Sequence, residues 1–293
     1  MSNSGRFAHR VWAATLLALS LITVGTTAHA APPQNLPIDP VGYRIVDDTM
    51  DISNPLPGDG LSDDVGYSRT DSSNGSARSP RSIIGPDDRT SVTDTRFAPY
   101  RRTGEITFSF GTPAQTATCT GWLISPSTVV TAGHCLTDGT DLSSHITFTP
   151  ARNGTQTGPY GTYRASTVWF DSKYGAPGRD WGVIELDGPA GNDVGWYGLE
   201  PVTAADLVGQ PARIIGYPTD QAPGTMWQDN APIVRQTDRT LRYTTDTYSG
   251  QSGASVTITD EDTANAIHNG GGLANSGTIL TAELFNTLAR LRS

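Results

Sequence analysis

The sequence has little cysteine, little histidine, no surplus of basic charge and, past its first thirty residues, no long apolar run. Each shortage narrows what the chain can be. Two cysteines occur in 293 residues, Cys119 and Cys135. Both fall in the part of the chain that reads as exported, where thiols oxidise, so one disulfide between them is the economical expectation. It would clamp the strand and turn that carry His134. With about 15 residues enclosed, it would contribute on the order of 3 kcal/mol in the chain-entropy view. No metal-ligand spacing appears, and no cofactor or metal is called for. The formal net charge is −9, and from Ser82 onward 14 basic residues face 21 acidic ones, a net of −7. That balance argues against nucleic acid as a partner.

The one long apolar run, Val11 to Val24, follows the basic residues Arg6 and Arg10 and precedes Ala28-His29-Ala30, a small-x-small cleavage pattern. It is shorter than the roughly 20 residues of a membrane-spanning helix, so residues 1–30 read as an export signal and the remainder as a secreted protein with no membrane association. Residues 31–81 are dense in Pro, Gly, Ser, Asn and Asp, as in Ser53-Asn54-Pro55-Leu56-Pro57-Gly58-Asp59-Gly60. Few apolar residues recur there at a helix or strand period, so an independent packed core is not expected and the segment reads as a propeptide. Arg81-Ser82-Ile83-Ile84-Gly85 marks the expected processing point, with 82–293 as a single domain.

Within that domain, short runs rich in Val, Ile, Thr, Tyr and Phe alternate with Gly, Pro, Asn and Asp clusters, the pattern of an antiparallel β sandwich or barrel. Eleven candidate strands, from Glu105–Phe110 to Ala264–His268, suit two barrels. Helical signals gather only at the end. There Thr281 can cap, Glu283 sits in the first turn, Leu284, Leu288 and Leu291 share a face, and Arg290 and Arg292 complement the dipole.

Three histidines follow the signal: His134, His145 and His268. His134 lies in Thr131-Ala132-Gly133-His134-Cys135, and Ser252 follows 118 residues later in Gly250-Gln251-Ser252-Gly253. Between them Asp180 opens the largely apolar run Trp181 to Leu186, although Asp171, Asp187 and Asp193 lie nearby. An alcohol to attack an acyl carbon, an imidazole to take its proton and a carboxylate to hold the imidazole tautomer are the three linked roles of nucleophilic acyl transfer. His145 leads a strand and reads as a surface residue.

These tracts, in order and spacing, resemble the chymotrypsin-like serine peptidases, and specifically their bacterial glutamyl endopeptidase branch. Ile84-Gly85-Pro86-Asp87-Asp88-Arg89, Cys119-Thr120-Gly121-Trp122, Gly216-Tyr217-Pro218, Asp246-Thr247-Tyr248-Ser249 and Ile267-His268-Asn269 extend the likeness over nearly all of 82–293. The resemblance implies an all-β fold of two six-stranded antiparallel barrels with a C-terminal α-helix. It implies His134 as base and then acid, Asp180 as its orienting carboxylate, Ser252 as nucleophile and the backbone N–H groups of Gly250 and Ser252 as oxyanion hole. It also implies that Thr247 and His268 supply donors to a substrate glutamate. The freed Ser82-Ile83 end would pack near that pocket, which couples processing to activity. Two departures stand out. Gln251 occupies the position where pancreatic relatives carry the aspartate that pairs with a new amino terminus, and Ala254-Ser255 follows Ser252-Gly253 where many relatives have Ser-Pro.

The expectation is therefore a monomeric secreted endopeptidase acting on protein or peptide substrates and cutting after Glu, less well after Asp. The competing readings are the same triad with a broader preference, and a catalytically silent binding homologue.

Overall fold

The computed structural model describes residues 37–57, 81–111, 115–154, 158–203 and 206–292. The chain divides into Met1–Leu36 and Pro37–Ser293, and every described residue lies in the second unit. The expected export signal and the parts 31–36 and 58–80 of the expected propeptide fall outside the described residues.

Strand β1, Pro40–Val46, comes first. Beyond a few two-residue strands come β2 (Thr103–Phe110), β3 (Gln115–Leu123), β4 (Thr128–Thr131), β5 (Ser144–Pro150), β6 (Tyr163–Asp171) and β7 (Gly182–Leu186). They pair antiparallel in the ring β2-β3-β4-β7-β6-β5 and back to β2, a closed six-stranded barrel. A second ring follows from β8 (Pro211–Gly216), β9 (Trp227–Gln236), β10 (Thr240–Tyr243), β11 (Ser255–Thr257), β12 (Thr263–Gly270) and β13 (Asn275–Ile279). It closes in the order β8-β9-β10-β13-β12-β11 and back to β8.

Closure removes free edges, and alternate side chains fill each interior. Ile106, Leu123, Val129, Phe148, Val168 and Ile184 fill the first barrel. Ala212, Ile214, Leu241, Tyr243, Val256 and Ala266 fill the second. A third cluster joins the two, with Trp122, Trp181, Val183 and Ile267 meeting Leu284 and Leu288 of the C-terminal helix, Ala282–Arg290, and Leu291 at its C-cap. That helix starts as its sequence requires: the Thr281 side chain accepts from the Leu284 N–H at 3.2 Å.

Residues 37–57 differ from the expectation for their composition. β1 pairs antiparallel with β6, and Thr49–Met50 and Leu56–Pro57 fold back to pair with β1. The segment has no core of its own, as its sparse apolar pattern implies. Val41, Tyr43 and Met50 instead enter the core of the first barrel, so neighbouring surface supplies the burial that its own sequence lacks.

Candidate active site

Asp180 sits two residues before β7, and His134 on the short 3₁₀ turn Gly133–Cys135 that follows β4. Since β4 and β7 are paired neighbours, the barrel brings the two together. The Asp180 carboxylate meets His134 twice. Its Oδ1 accepts from the His134 backbone N–H at 2.9 Å, and its Oδ2 lies 3.0 Å from ring Nδ1. The Asp180 side chain is 13 % exposed, dry enough for that contact to fix the ring. Two of the nearby acids are engaged elsewhere, Asp171 with Arg179 at 3.0 Å and Asp187 with the Arg164 N–H at 3.0 Å.

Ser252 comes from the other barrel, on the turn ahead of β11. Its carbonyl accepts from the Thr120 N–H at 2.8 Å, and the next N–H, of Gly253, donates to the His268 carbonyl at 2.7 Å. The tryptophan of the Cys-Thr-Gly-Trp tract contributes as well, because Trp122 Nε1 donates to the Gly253 carbonyl at 3.0 Å. The two glycines are required by conformation and by space. Gly250 has φ +95° and Gly253 φ +88°. A Cβ on Gly250 would meet the Tyr217 carbonyl at 2.3 Å, and one on Gly253 the Thr131 hydroxyl at 2.2 Å. Gln251 turns its side chain back onto this loop, its Oε1 accepting from the Tyr248 N–H at 2.9 Å. Among the described residues, no backbone hydrogen bond is made by the N–H of Gly250 or of Ser252.

His134 and Ser252 line one cavity of about 360 Å³. The lining includes the apolar Phe108, Phe110 and Ala117 of the first barrel and the polar Ser82, Thr247, His268 and Asn269. Cys119 and Cys135 form the expected disulfide, which ties β3 to the turn bearing His134. His145 is exposed, as its place at the head of a strand implies.

His268, on β12, is 3 % exposed. Burial, helped by the neighbouring His134, pushes its pKa down to about 3. At neutral pH the ring is therefore uncharged, with one N–H to give and one nitrogen to accept. Its Nδ1 lies 2.7 Å from the hydroxyl of Tyr243. That tyrosine is a missed member of the site. In the sequence it is only an inward residue of a short strand, and nothing there links it to a histidine 25 positions on.

Ser82 reaches the cavity by pairing with Thr247 as a two-residue strand, Arg81–Ser82 against Thr247–Tyr248. Its hydroxyl accepts from the Gly272 N–H at 2.8 Å and its carbonyl from the Asn275 side chain at 2.9 Å. Ile83 is not among the residues lining the cavity. Asp246 is a second missed member: its buried carboxylate accepts from the N–H groups of Ile84 at 2.7 Å and Asp88 at 3.0 Å. It stood inside a recognised tract but carried no sequence signal for this task.

The trypsin family profile matches residues 96–283 of this chain. An "extracellular metalloprotease" of Bacillus subtilis is 42 % identical over 219 residues, covering 71 % of this chain and 69 % of the relative. The glutamyl endopeptidase of Bacillus licheniformis is 39 % identical over 228 residues, covering 73 % and 70 %. A solved structure of a Glu endopeptidase in complex with MPD superposes with a TM-score of 0.65 at 29 % identity, over 72 % of this chain and 99 % of that one. The name of the Bacillus subtilis relative raises the question of a metal. Among the described residues the one group with ligand atoms close together is Cys119, His134 and Cys135. Both sulfurs there are joined in the disulfide and offer no thiolate, so these residues do not fit a metal ion. Family profile, relatives and the two closed barrels agree: the chain belongs to the trypsin family as a serine endopeptidase of the bacterial glutamyl endopeptidase branch.

Proposed function

We propose that this endopeptidase is secreted and cuts peptide bonds after glutamate through His134, Asp180 and Ser252. Asp180 holds the His134 proton on Nδ1, which leaves Nε2 to take the proton of the Ser252 hydroxyl as its oxygen attacks the acyl carbon. The tetrahedral oxyanion receives the N–H groups of Gly250 and Ser252, donors aimed at charge that is present only in the transition state. The His134 imidazolium then protonates the leaving amine, and water hydrolyses the acyl-enzyme by the same steps.

The observation that carries the glutamate reading is a buried neutral His268, with Thr247 and Ser82, in the lining of the cavity that His134 and Ser252 share. These groups can donate to a carboxylate, and an aspartate side chain is one methylene short of them. The names of the Bacillus licheniformis relative and of the superposed structure support the same preference. The proposed removal of residues 1–30 and a cut after Arg81 would free the α-amino group of Ser82 beside that cavity, adding a positive charge that the uncut chain lacks. Ile83 takes part only through the backbone that seats Ser82.

A charge-assisted hydrogen bond contributes about 1.5–3 kcal/mol, so Glu should be preferred over an apolar residue by roughly ten- to a few hundredfold. The test is kcat/KM on matched Glu and Leu peptides before and after His268→Ala. The ratio is expected to fall by that factor while cleavage after Leu persists, and an unchanged ratio rules the assignment out. For the coupling to processing, a mature form carrying a few extra residues before Ser82 is expected to lose activity on Glu peptides.

A further inference from the structure

We propose that residues 37–57 are a permanent part of the folded enzyme, so that cutting the chain between residues 58 and 81 leaves two chains held together without a covalent bond. The proposal rests on the reading that the chain is processed near Arg81, and not on the choice of substrate.

The contact has the features of a built-in strand rather than of a loosely draped leader. Five consecutive residue pairs, Pro40↔Asp171 to Arg44↔Thr167, run in antiparallel register on β6, and Leu56 and Pro57 cover the far side of β1. Gly42 lies so close to Trp169 that a Cβ would stand 2.3 Å from its ring. That approach suits this strand in this register and no bulkier one. On either side of it Val41 and Tyr43 are buried with Phe170, Val168 and Ile146, and Tyr43 stacks on Phe170 at 5.8 Å in a tilted arrangement. A one-residue slip would turn both side chains outward.

Polar contacts at both ends fix the segment to three further parts of the domain. The Asp39 carboxylate accepts from the Ser172 hydroxyl at 2.6 Å, and its carbonyl from the Ser172 N–H at 2.8 Å. Ser172 begins the connection that ends at Asp180, so the segment braces the loop that delivers the carboxylate to His134. Asp48 pairs with Arg164 at 2.7 Å and accepts through its carbonyl from the His145 N–H at 2.7 Å. The Ile38 N–H donates to Glu283 in the first turn of the C-terminal helix. Losing the segment would strip the outer edge of β6 of these partners and open the core around Phe170 to water.

The experiment uses the full chain with the recognition sequence of a site-specific protease placed between residues 60 and 78. Once denaturing mass spectrometry shows complete cleavage, native mass spectrometry at about 1 µM protein, a concentration at which weaker complexes come apart, decides the matter. A one-to-one complex of the two pieces is expected, with the small piece released only when the domain unfolds. A large piece that travels alone with an unchanged Tm overturns the proposal. Gly42→Val in the same cleavable chain is expected to lower Tm and let the small piece go after cutting. Retention as firm as in the parent would show that the register on β6 is not what holds it, and would also overturn it. Neither readout uses peptidase activity, so a failure of the glutamate assignment leaves this result interpretable, and the reverse.

Discussion

The hydroxyl of Tyr243 stands 2.7 Å from Nδ1 of His268, and both groups are buried. Burial lifts the tyrosine pKa well above its ordinary value, so the phenol keeps its proton across the working range. With the phenol as the donor to Nδ1, the ring proton sits on Nε2 and the plane of the imidazole is fixed, which would orient the neutral donor that the glutamate reading requires of His268. Tyr243→Phe removes that partner and leaves a buried ring nitrogen unsatisfied, a change of about 1–3 kcal/mol. We expect kcat/KM for Glu peptides to drop by roughly five- to a hundredfold, with cleavage after Leu little changed. A parallel loss on both peptides would mean that Tyr243 supports the barrel and not the orientation of His268.

Much of this arrangement was legible in the sequence. Closely spaced Val, Ile and Thr gave strands such as Thr128–Thr131 with their observed limits, and the flanking glycines and threonines marked the turns at His134 and Ser252. What stayed hidden depends on partners distant in the chain. Asn275–Ile279 reads as polar and glycine-bearing, yet it is a barrel strand, because Gly277 lets it run close to β12, where a Cβ would meet the Ile267 carbonyl at 2.9 Å. The first half of β9 carries Asp229 and Asn230, which no alternation rule assigns to a strand, and Asp229 is used to accept the Asp246 N–H at 2.6 Å. β1 escaped because its burial is supplied by Phe170 and Val168, residues more than 100 positions away.

Asp246 links residues 84–88 to the cavity that His134 and Ser252 line. Its two oxygens hold the N–H groups of Ile84 and Asp88, and the next residue, Thr247, pairs with Ser82. Replacing it by alanine removes two charge-assisted hydrogen bonds, about 1.5–3 kcal/mol each, and releases the turn that seats Ser82. In the processed enzyme, Asp246→Ala is expected to raise KM for Glu peptides at least tenfold while the rate of phosphonylation of Ser252 changes far less. Equal losses in both would place the damage in the catalytic turn.

The disulfide joins residues 16 apart in sequence and encloses the strand and turn that lead to His134. A loop of that size contributes about 3 kcal/mol by restricting the unfolded chain. The paired change Cys119→Ala with Cys135→Ala is expected to lower Tm by several degrees in thermal melts. Any loss of kcat beyond the unfolded fraction would show that the bond also holds His134 in place, since Cys135 is the residue after it.

Stability should fall on mild acidification because of His268. Its folded pKa, about 3, lies below the unfolded value of 6.5, so between those limits the unfolded chain binds a proton that the folded one refuses. The folded state has its full margin above pH 6.5 and loses it as the pH drops, by up to about 1.4 kcal/mol per unit from this one group. The groups that bear on the ring are Tyr243, His134, the Ser276 backbone and Asp180, and of these the Ser276 backbone and, less strongly, Asp180 work against the shift. Asp229 has the opposite sign. Burial beside Asp246 and Asp88 raises its pKa, so it steadies the fold as the pH falls through the carboxylate range. Comparing the parent with His268→Gln separates the two effects, because Asp229 is common to both. Thermal melts between pH 7 and pH 4 should show the parent's Tm falling more steeply than the variant's. Parallel slopes would mean that the folded protein takes up the proton at His268 as readily as the unfolded chain, and that burial does not hold the ring neutral through mild acid.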